Sequence, residues 1–203
     1  MRAHCWEVLS RWEVSCFELR SLSLDLLELL MTISADQFRD ALRFFPAGVT
    51  IVTAGTAETA GAGETRCGLT VSAFTSVSAE PPLIAVLLEH SRRVHDLLES
   101  KYAPFAVSFL TEEHVDLSNR FAFMPDDQRF THGDWGTAES GVPVLQDALA
   151  WLDCTVESRQ DLGSHILYAG RVWEHRVIRP EASPLVYWNR DYHSLVPLGM
   201  PTL

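Results

Sequence analysis

Five hydroxyl side chains crowd into the stretch from Gly68 to Ser78, GLTVSAFTSVS: Thr70, Ser72, Thr75, Ser76 and Ser78. Leu69, Val71, Ala73, Phe74 and Val77 sit among them, and from Thr70 to Ala73 polar and apolar residues alternate. In an extended chain that alternation lets one face pack while the other presents hydroxyls. Burying such groups without partners is costly, so something must satisfy them. Two readings stay open on the residues alone. Either a flat, polar, anionic ligand meets the hydroxyls and the backbone N–H groups around Ala73 and Phe74, or the Ser and Thr side chains face water.

Other groups could join such a site. Ser91-Arg92-Arg93 follows the apolar run Leu83–Leu88 and precedes a helical pattern at Val94, Leu97 and Leu98. A strand-to-helix turn offers free N–H groups and a favourable dipole to phosphate, although a solvated basic turn would read the same. Arg120-Phe121 and Arg129-Phe130 flank an irregular charged loop and could meet an anion or form exposed salt bridges. Tyr187, Trp188, Arg190 and Tyr192 near the C-terminus suit core, interface or ring stacking. His165 opens a strand-like run, where a lone histidine is ordinarily structural. The sequence carries no Ser/His/Asp signature, no paired-carboxylate site and no Cys/His zinc spacing, so no metal is expected.

The elements that must position these residues read as mainly β. Ser34 with Gln37 makes a capping box, and Phe38, Ala41, Leu42 and Phe45 recur at helical spacing until Pro46-Ala47-Gly48. Strands are expected at 49–54, 68–78, 83–88, 105–110, 151–157, 166–178 and 185–188, with a small-residue hairpin loop at 55–64. Glu112–Phe121 reads as a helix starting at Thr111, and Asp126–Gly141 as a long irregular loop. Seven or so strands with short flanking helices and no βαβ rhythm point to a closed antiparallel barrel. There is no GxGxxG, so a nicotinamide cofactor would not bind in the Rossmann manner.

Composition narrows the function further. The chain has 203 residues, 47% hydrophobic and 21% charged, enough for one domain with a substantial core. Its formal net charge of −11 and lack of a basic stripe argue against nucleic acid. An anionic ligand would therefore need locally placed arginines and N–H groups. A single lysine, Lys101, accompanies the arginines. Cys5, Cys16, Cys67 and Cys154 lack CxxC spacing, and Cys67 and Cys154 read as reduced, buried thiols, as expected of a cytoplasmic protein. The apolar run LSLDLLELLM is too short to span a bilayer and carries acids, so no membrane role is expected. Residues 1–33 read as an N-terminal extension, either an over-called start codon or a loosely attached helix, ahead of a domain over 34–203.

Five segments in order resemble one family. FPAGVTIVTAG (Phe45–Gly55), GLTVSAFTSVSAEPPLIAVLL (Gly68–Leu88), GDWGTAESGVPVLQDALAWLDCTVE (Gly133–Glu157), GSHILYAGRV (Gly163–Val172) and PLVYWNRDYHSL (Pro184–Leu195) are similar to the flavin reductase-like, FMN-binding split-barrel proteins. The members most resembled are short reductases that supply reduced flavin to a separate monooxygenase. The resemblance implies a Greek-key-like split β-barrel, a homodimer, and hydride transfer from NADH or NADPH to FMN or FAD. It assigns flavin contacts to Thr70, Ser72, Ala73, Phe74, Thr75, Ser76 and Ser78, with Tyr192 beside the ring, and Arg120 could then meet the pyrophosphate or a flavin edge. It assigns the flavin phosphate to Ser91 and Arg92, and the nicotinamide pocket to His165. The family usually carries Gly-Asp-His at that point, and this chain has Gly163-Ser164-His165, which favours a hydrogen-bonding or stacking role over an imidazolium. The resemblance leaves two alternatives: a flavin- or haem-binding split barrel without catalysis, and an oxidoreductase holding FMN tightly for an organic substrate.

Overall fold

The computed structural model describes residues 33–55 and 66–195. The expected N-terminal extension, except Ile33, lies outside them, as does nearly all of the expected loop at 55–64. The chain divides into two units, Met1–Arg43 and Phe44–Leu203. In the first, helix α1 (Ala35–Leu42) begins with the capping box that the sequence suggests. The Ser34 hydroxyl accepts from Gln37 N at 3.2 Å, and Gln37 Oε1 accepts from Ser34 N at 2.9 Å.

The second unit is built around one seven-stranded antiparallel sheet. Its strands are β2 (Thr50–Ala54), β3 (Cys67–Val71), β4 (Phe74–Ala79), β5 (Pro82–Glu89), β6 (Pro104–Phe109), β9 (Ala150–Leu162) and β10 (His165–Val177). They lie in the order β3-β2-β6-β9-β10-β5-β4. The two edge strands, β3 and β4, are consecutive in the chain and joined by only Ser72 and Ala73. A sheet whose opposite edges are two residues apart must curl round on itself, but no hydrogen-bonded ladder joins β3 to β4. The expected closed barrel is thus an open, split one. The single hydroxyl strand expected over 68–78 is two strands at opposite edges of the sheet.

Packing follows from strand alternation. Val52, Leu69, Val71, Val86, Leu88, Phe105, Val107, Val156 and Tyr168 fill the interior. Each such side chain contributes about 1.5–3 kcal/mol by leaving water. β2 is buried on both faces: Val49 and Ile51 join a second cluster with Leu110, Leu117, Phe121 and Leu185. That layer is carried by a 3₁₀ turn at Glu112–His114, helix α3 (Val115–Phe123) and the short helix α4 (Asp126–Arg129). The expected irregular loop thus contains α4 and a strand, β7 (Trp135–Thr137), which pairs with β8 (Pro143–Leu145). A one-turn helix, α2 (Val94–Leu97), follows β5.

The long β9–β10 hairpin turns at Gly163, whose φ is +60°, and bends at two bulges. Gly170 sits at the first of them, where a Cβ would collide with the Phe105 ring. Finally β11 (Val186–Trp188) pairs with both β1 (Ala47–Gly48) and β12 (Asp191–His193). No helix among the described residues is long and apolar enough to cross a membrane.

Candidate functional site

The β4 edge is where the hydroxyls stay available. Ser72 and Ala73 are exposed and belong to no strand, while Ala73 O accepts from Leu87 N at 3.0 Å to lock the start of β4 against β5. Thr75 and Ser76 are exposed, and the Thr75 hydroxyl donates only weakly to Ser76 O at 3.3 Å. Because β4 ends the sheet, one side of its backbone has no ladder. Phe74 differs: its ring packs edge-on to Phe109 at 5.2 Å in the core, leaving only its backbone to a ligand. Ser78 stands beyond a bulge, four residues and roughly 13 Å further along the strand at 3.3 Å per residue. Thr70, on β3, spends its hydroxyl on Ser118 O at 2.6 Å.

The phosphate-candidate turn lies at the same end of the sheet. β5 finishes at Glu89, and Arg92 N donates to Glu89 O at 3.2 Å. Ser91 is exposed; the Arg92 guanidinium is half-exposed and meets the Glu89 carboxylate at 3.3 Å. Helix α2 is a single turn, so the expected helix dipole contributes little here. What holds the turn is His95: one ring nitrogen donates to Glu89 O at 2.8 Å and the other meets the buried Tyr168 hydroxyl at 2.8 Å. Burial raises the Tyr168 hydroxyl pKa.

His165 begins β10 opposite Glu89 in register, its Nδ1 2.9 Å from the Ser164 hydroxyl. Ser164 O in turn accepts from His90 N at 3.1 Å, tying the β9–β10 hairpin to the β5 turn. Because β4, β5 and β10 are neighbours, Ala73, Ser91, Arg92 and His165 all fall at one end of three adjacent strands.

A cavity of about 550 Å³ opens beside Ser72. Thr70 contributes to it from β3 and Ser72 from the β3–β4 connection, Asn119 and Phe123 from α3, and Tyr187 and Tyr192 from the C-terminal hairpin. The Tyr192 hydroxyl meets Ser118 Oγ at 2.8 Å and Asn119 Oδ1 at 3.2 Å, so it fixes the hairpin to α3 while its ring lines the cavity. Arg120 is outside this cavity: it donates to Gln128 O at 3.1 Å and Thr131 Oγ1 at 3.4 Å, holding the loop after α4.

Arg129, another sequence candidate, is only 8% exposed and donates to Gly68 O at 2.7 Å while pairing with Asp126 at 2.6 Å. It braces the β3 edge from inside. Asn119, Phe123 and His95 went unnoticed in the sequence, since their partners lie on other elements, 73 residues away for Asn119–Tyr192 and His95–Tyr168. Burial pushes the Cys67 thiol up to about 11 and raises Cys154 too, so neither is a thiolate at neutral pH. Among the described residues no His, Cys, Asp and Glu cluster could hold a metal.

This donor set suits a flavin: exposed hydroxyls and unladdered backbone on a flat edge, with an arginine turn alongside. Comparison with known proteins agrees. A family model described as the flavin reductase like domain matches residues 42–196. A probable flavin reductase of Rhizobium meliloti is 40% identical over 134 residues, which are 66% of this chain and 41% of that longer protein. The reductase component of an FADH(2)-dependent resorcinol hydroxylase from a Rhizobium species is 34% identical over 165 residues, covering 80% of this chain and 88% of the relative. An NADH:FAD oxidoreductase of Streptomyces globisporus, solved in complex with NAD and FAD fragments, superposes with a TM-score of 0.71 at 28% identity, covering 80% and 93% of the two chains. Sequence, split sheet and relatives therefore converge, and the chain belongs to the flavin reductase-like domain family.

Proposed function

We propose that this protein is an NAD(P)H-dependent flavin reductase that reduces FMN or FAD and passes the reduced flavin to a separate monooxygenase. The observation that carries the reading is the exposed hydroxyl edge of β4, aligned at one end of the sheet with the Ser91–Arg92 turn and His165. Hydride passes from the nicotinamide to the flavin, so the two ligands supply the chemistry and the protein supplies binding and orientation. Ser72, Thr75 and Ser76, with the backbone at Ala73 and Phe74, hydrogen-bond the polar rim of the flavin ring. Ser91 and Arg92 hold its phosphate, Arg92 turning from Glu89 toward the stronger anion. His165, steadied by Ser164, orients the nicotinamide. Fixing the reacting atoms in line removes most of the entropic barrier, and no general acid or base is required. A rim of exposed groups also lets the product flavin leave.

We further read the protein as a cytoplasmic homodimer. Leu87 and Leu167 are register partners on the sheet face opposite the core and remain only half-buried, while Val77 and Trp173 are 56% and 68% exposed. Cys67 and Cys154 are free thiols. The monooxygenase partner is supported by the relative named as a reductase component.

The test is to mix the purified protein with NADH and excess free FMN under anaerobic conditions. Rapid, multiple-turnover bleaching of the flavin absorbance is expected. Flavin binding without NADH oxidation would overturn the reading in favour of a binding protein, and bleaching limited to one equivalent would favour a tightly held FMN.

A further inference from the structure

The hairpin between β11 and β12 turns through two residues, Asn189 and Arg190, at φ +50° and +67°. Two positive φ values in a row are what a two-residue type I′ turn requires, and Asn-Gly is its natural filling. Asn tolerates the first position. At the second, an arginine Cβ crowds the backbone where glycine would sit without strain. A residue held in an unfavourable backbone region points to a use for its side chain.

That side chain lines the cavity beside Ser72. Among the described lining residues Arg190 is the one cation and Asp191 the one anion. Asp191 is fixed in place, its Oδ1 accepting from Tyr192 N at 2.8 Å. Tyr187 packs edge-on to Tyr192 at 5.4 Å, and the Phe123 ring stands 81% exposed at the rim. The cavity volume of about 550 Å³ is that of a small-molecule site. Its aromatic rings offer stacking surfaces to an adenine base. Ser72 lines the cavity and directly precedes Ala73 on the edge assigned above to the flavin, so a ligand here abuts the flavin ring rather than its phosphate.

We propose that Arg190 binds the pyrophosphate of the nicotinamide dinucleotide in this cavity, and that the cavity admits NADH in preference to NADPH. The proposal rests on the flavin reductase reading. A guanidinium can neutralise part of a pyrophosphate. The 2′-phosphate of NADPH adds a further charge of about −1.5 to −2, and among the described residues the lining holds no second cation to meet it while Asp191 repels it.

The test is calorimetric titration of NAD+ and NADP+ into FMN-saturated full-length protein, wild type against Arg190→Gly, Arg190→Lys and Asp191→Asn, with melting temperatures and flavin affinities alongside. Wild type should bind NAD+ more tightly than NADP+. Arg190→Gly should weaken NAD+ binding about tenfold or more, the worth of a charge-assisted hydrogen bond. It should leave flavin affinity unmoved and melt no lower than wild type, because the strain is gone. Arg190→Lys should recover part of the binding, and Asp191→Asn should narrow the NAD+ preference. Unchanged NAD+ binding in Arg190→Gly, or a wild type that prefers NADP+, would overturn the proposal. A wild type that binds NAD+ through Arg190 yet turns over no flavin would overturn the reductase reading and leave this one standing.

Discussion

β3 and β4 come from one uninterrupted run of similar composition, yet their hydroxyls meet opposite fates. β3 lies under α3 and α4: Thr70 is spent on Ser118 O, and Gly68 O is capped by the buried Arg129. Among the described residues β4 has a strand neighbour on one side only, and Thr75 and Ser76 remain exposed. The two arginines repeat the contrast. Arg129 is buried among carbonyls and a carboxylate, whereas Arg92 stands half-exposed in a turn and pairs with Glu89 three residues back. Residue type does not decide whether a polar group builds the fold or waits for a ligand. What covers the strand decides it.

Substitutions on the two sides should separate stability from binding. Arg129→Leu should have the largest effect. It strips the part-buried Asp126 carboxylate and two carbonyls of their donor and should cost about 3 kcal/mol in urea denaturation, the low end for a broken buried pair. Gly68→Ala should follow, since the added Cβ would lie 2.6 Å from the Phe121 ring; overpacking of this kind costs roughly 1–3 kcal/mol. If either variant melted like wild type, β3 would not be the braced edge described here.

On the open side the losses should be functional. His165→Ala should lower kcat/KM for NADH by about ten- to a hundredfold through misorientation, with flavin affinity nearly unchanged; stopped-flow anaerobic reduction would read it. Equal rates in the two proteins would make His165 structural. Arg92→Ala should weaken flavin binding about tenfold and shift stability by no more than ~0.5 kcal/mol, as measured by flavin fluorescence titration and thermal melting. An unchanged dissociation constant would return Arg92 to the role of a solvated turn.

Much of this was legible in the sequence. β-branched and apolar runs marked most of the strands, the capping box at Ser34 marked α1, and the missing βαβ rhythm excluded a Rossmann sheet. The break at Ser72-Ala73 was hidden because the polar/apolar alternation runs straight into it. Only the pairing of β3 back to β2 and of β4 forward to β5, each with its neighbour in the chain, separates the strands. The inward turn of Arg129 was hidden too, since Arg120-Phe121 and Arg129-Phe130 look alike in sequence. One arginine props a loop and the other a strand edge, and tertiary packing alone distinguishes them. The cavity beside Ser72 draws on four separate stretches of chain, so no local pattern marks it.

Amide hydrogen exchange with and without saturating FMN tests the contrast between the edges most directly. Flavin should slow exchange over residues 72–76 and 90–93, where backbone N–H groups lie on the open edge and in the arginine turn. It should leave residues 68–71 of β3, already braced by α3 and Arg129, unaltered. Protection confined to β3 and α3, or spread over the outer face of β6 and β9 while 72–76 stay unchanged, would contradict the account.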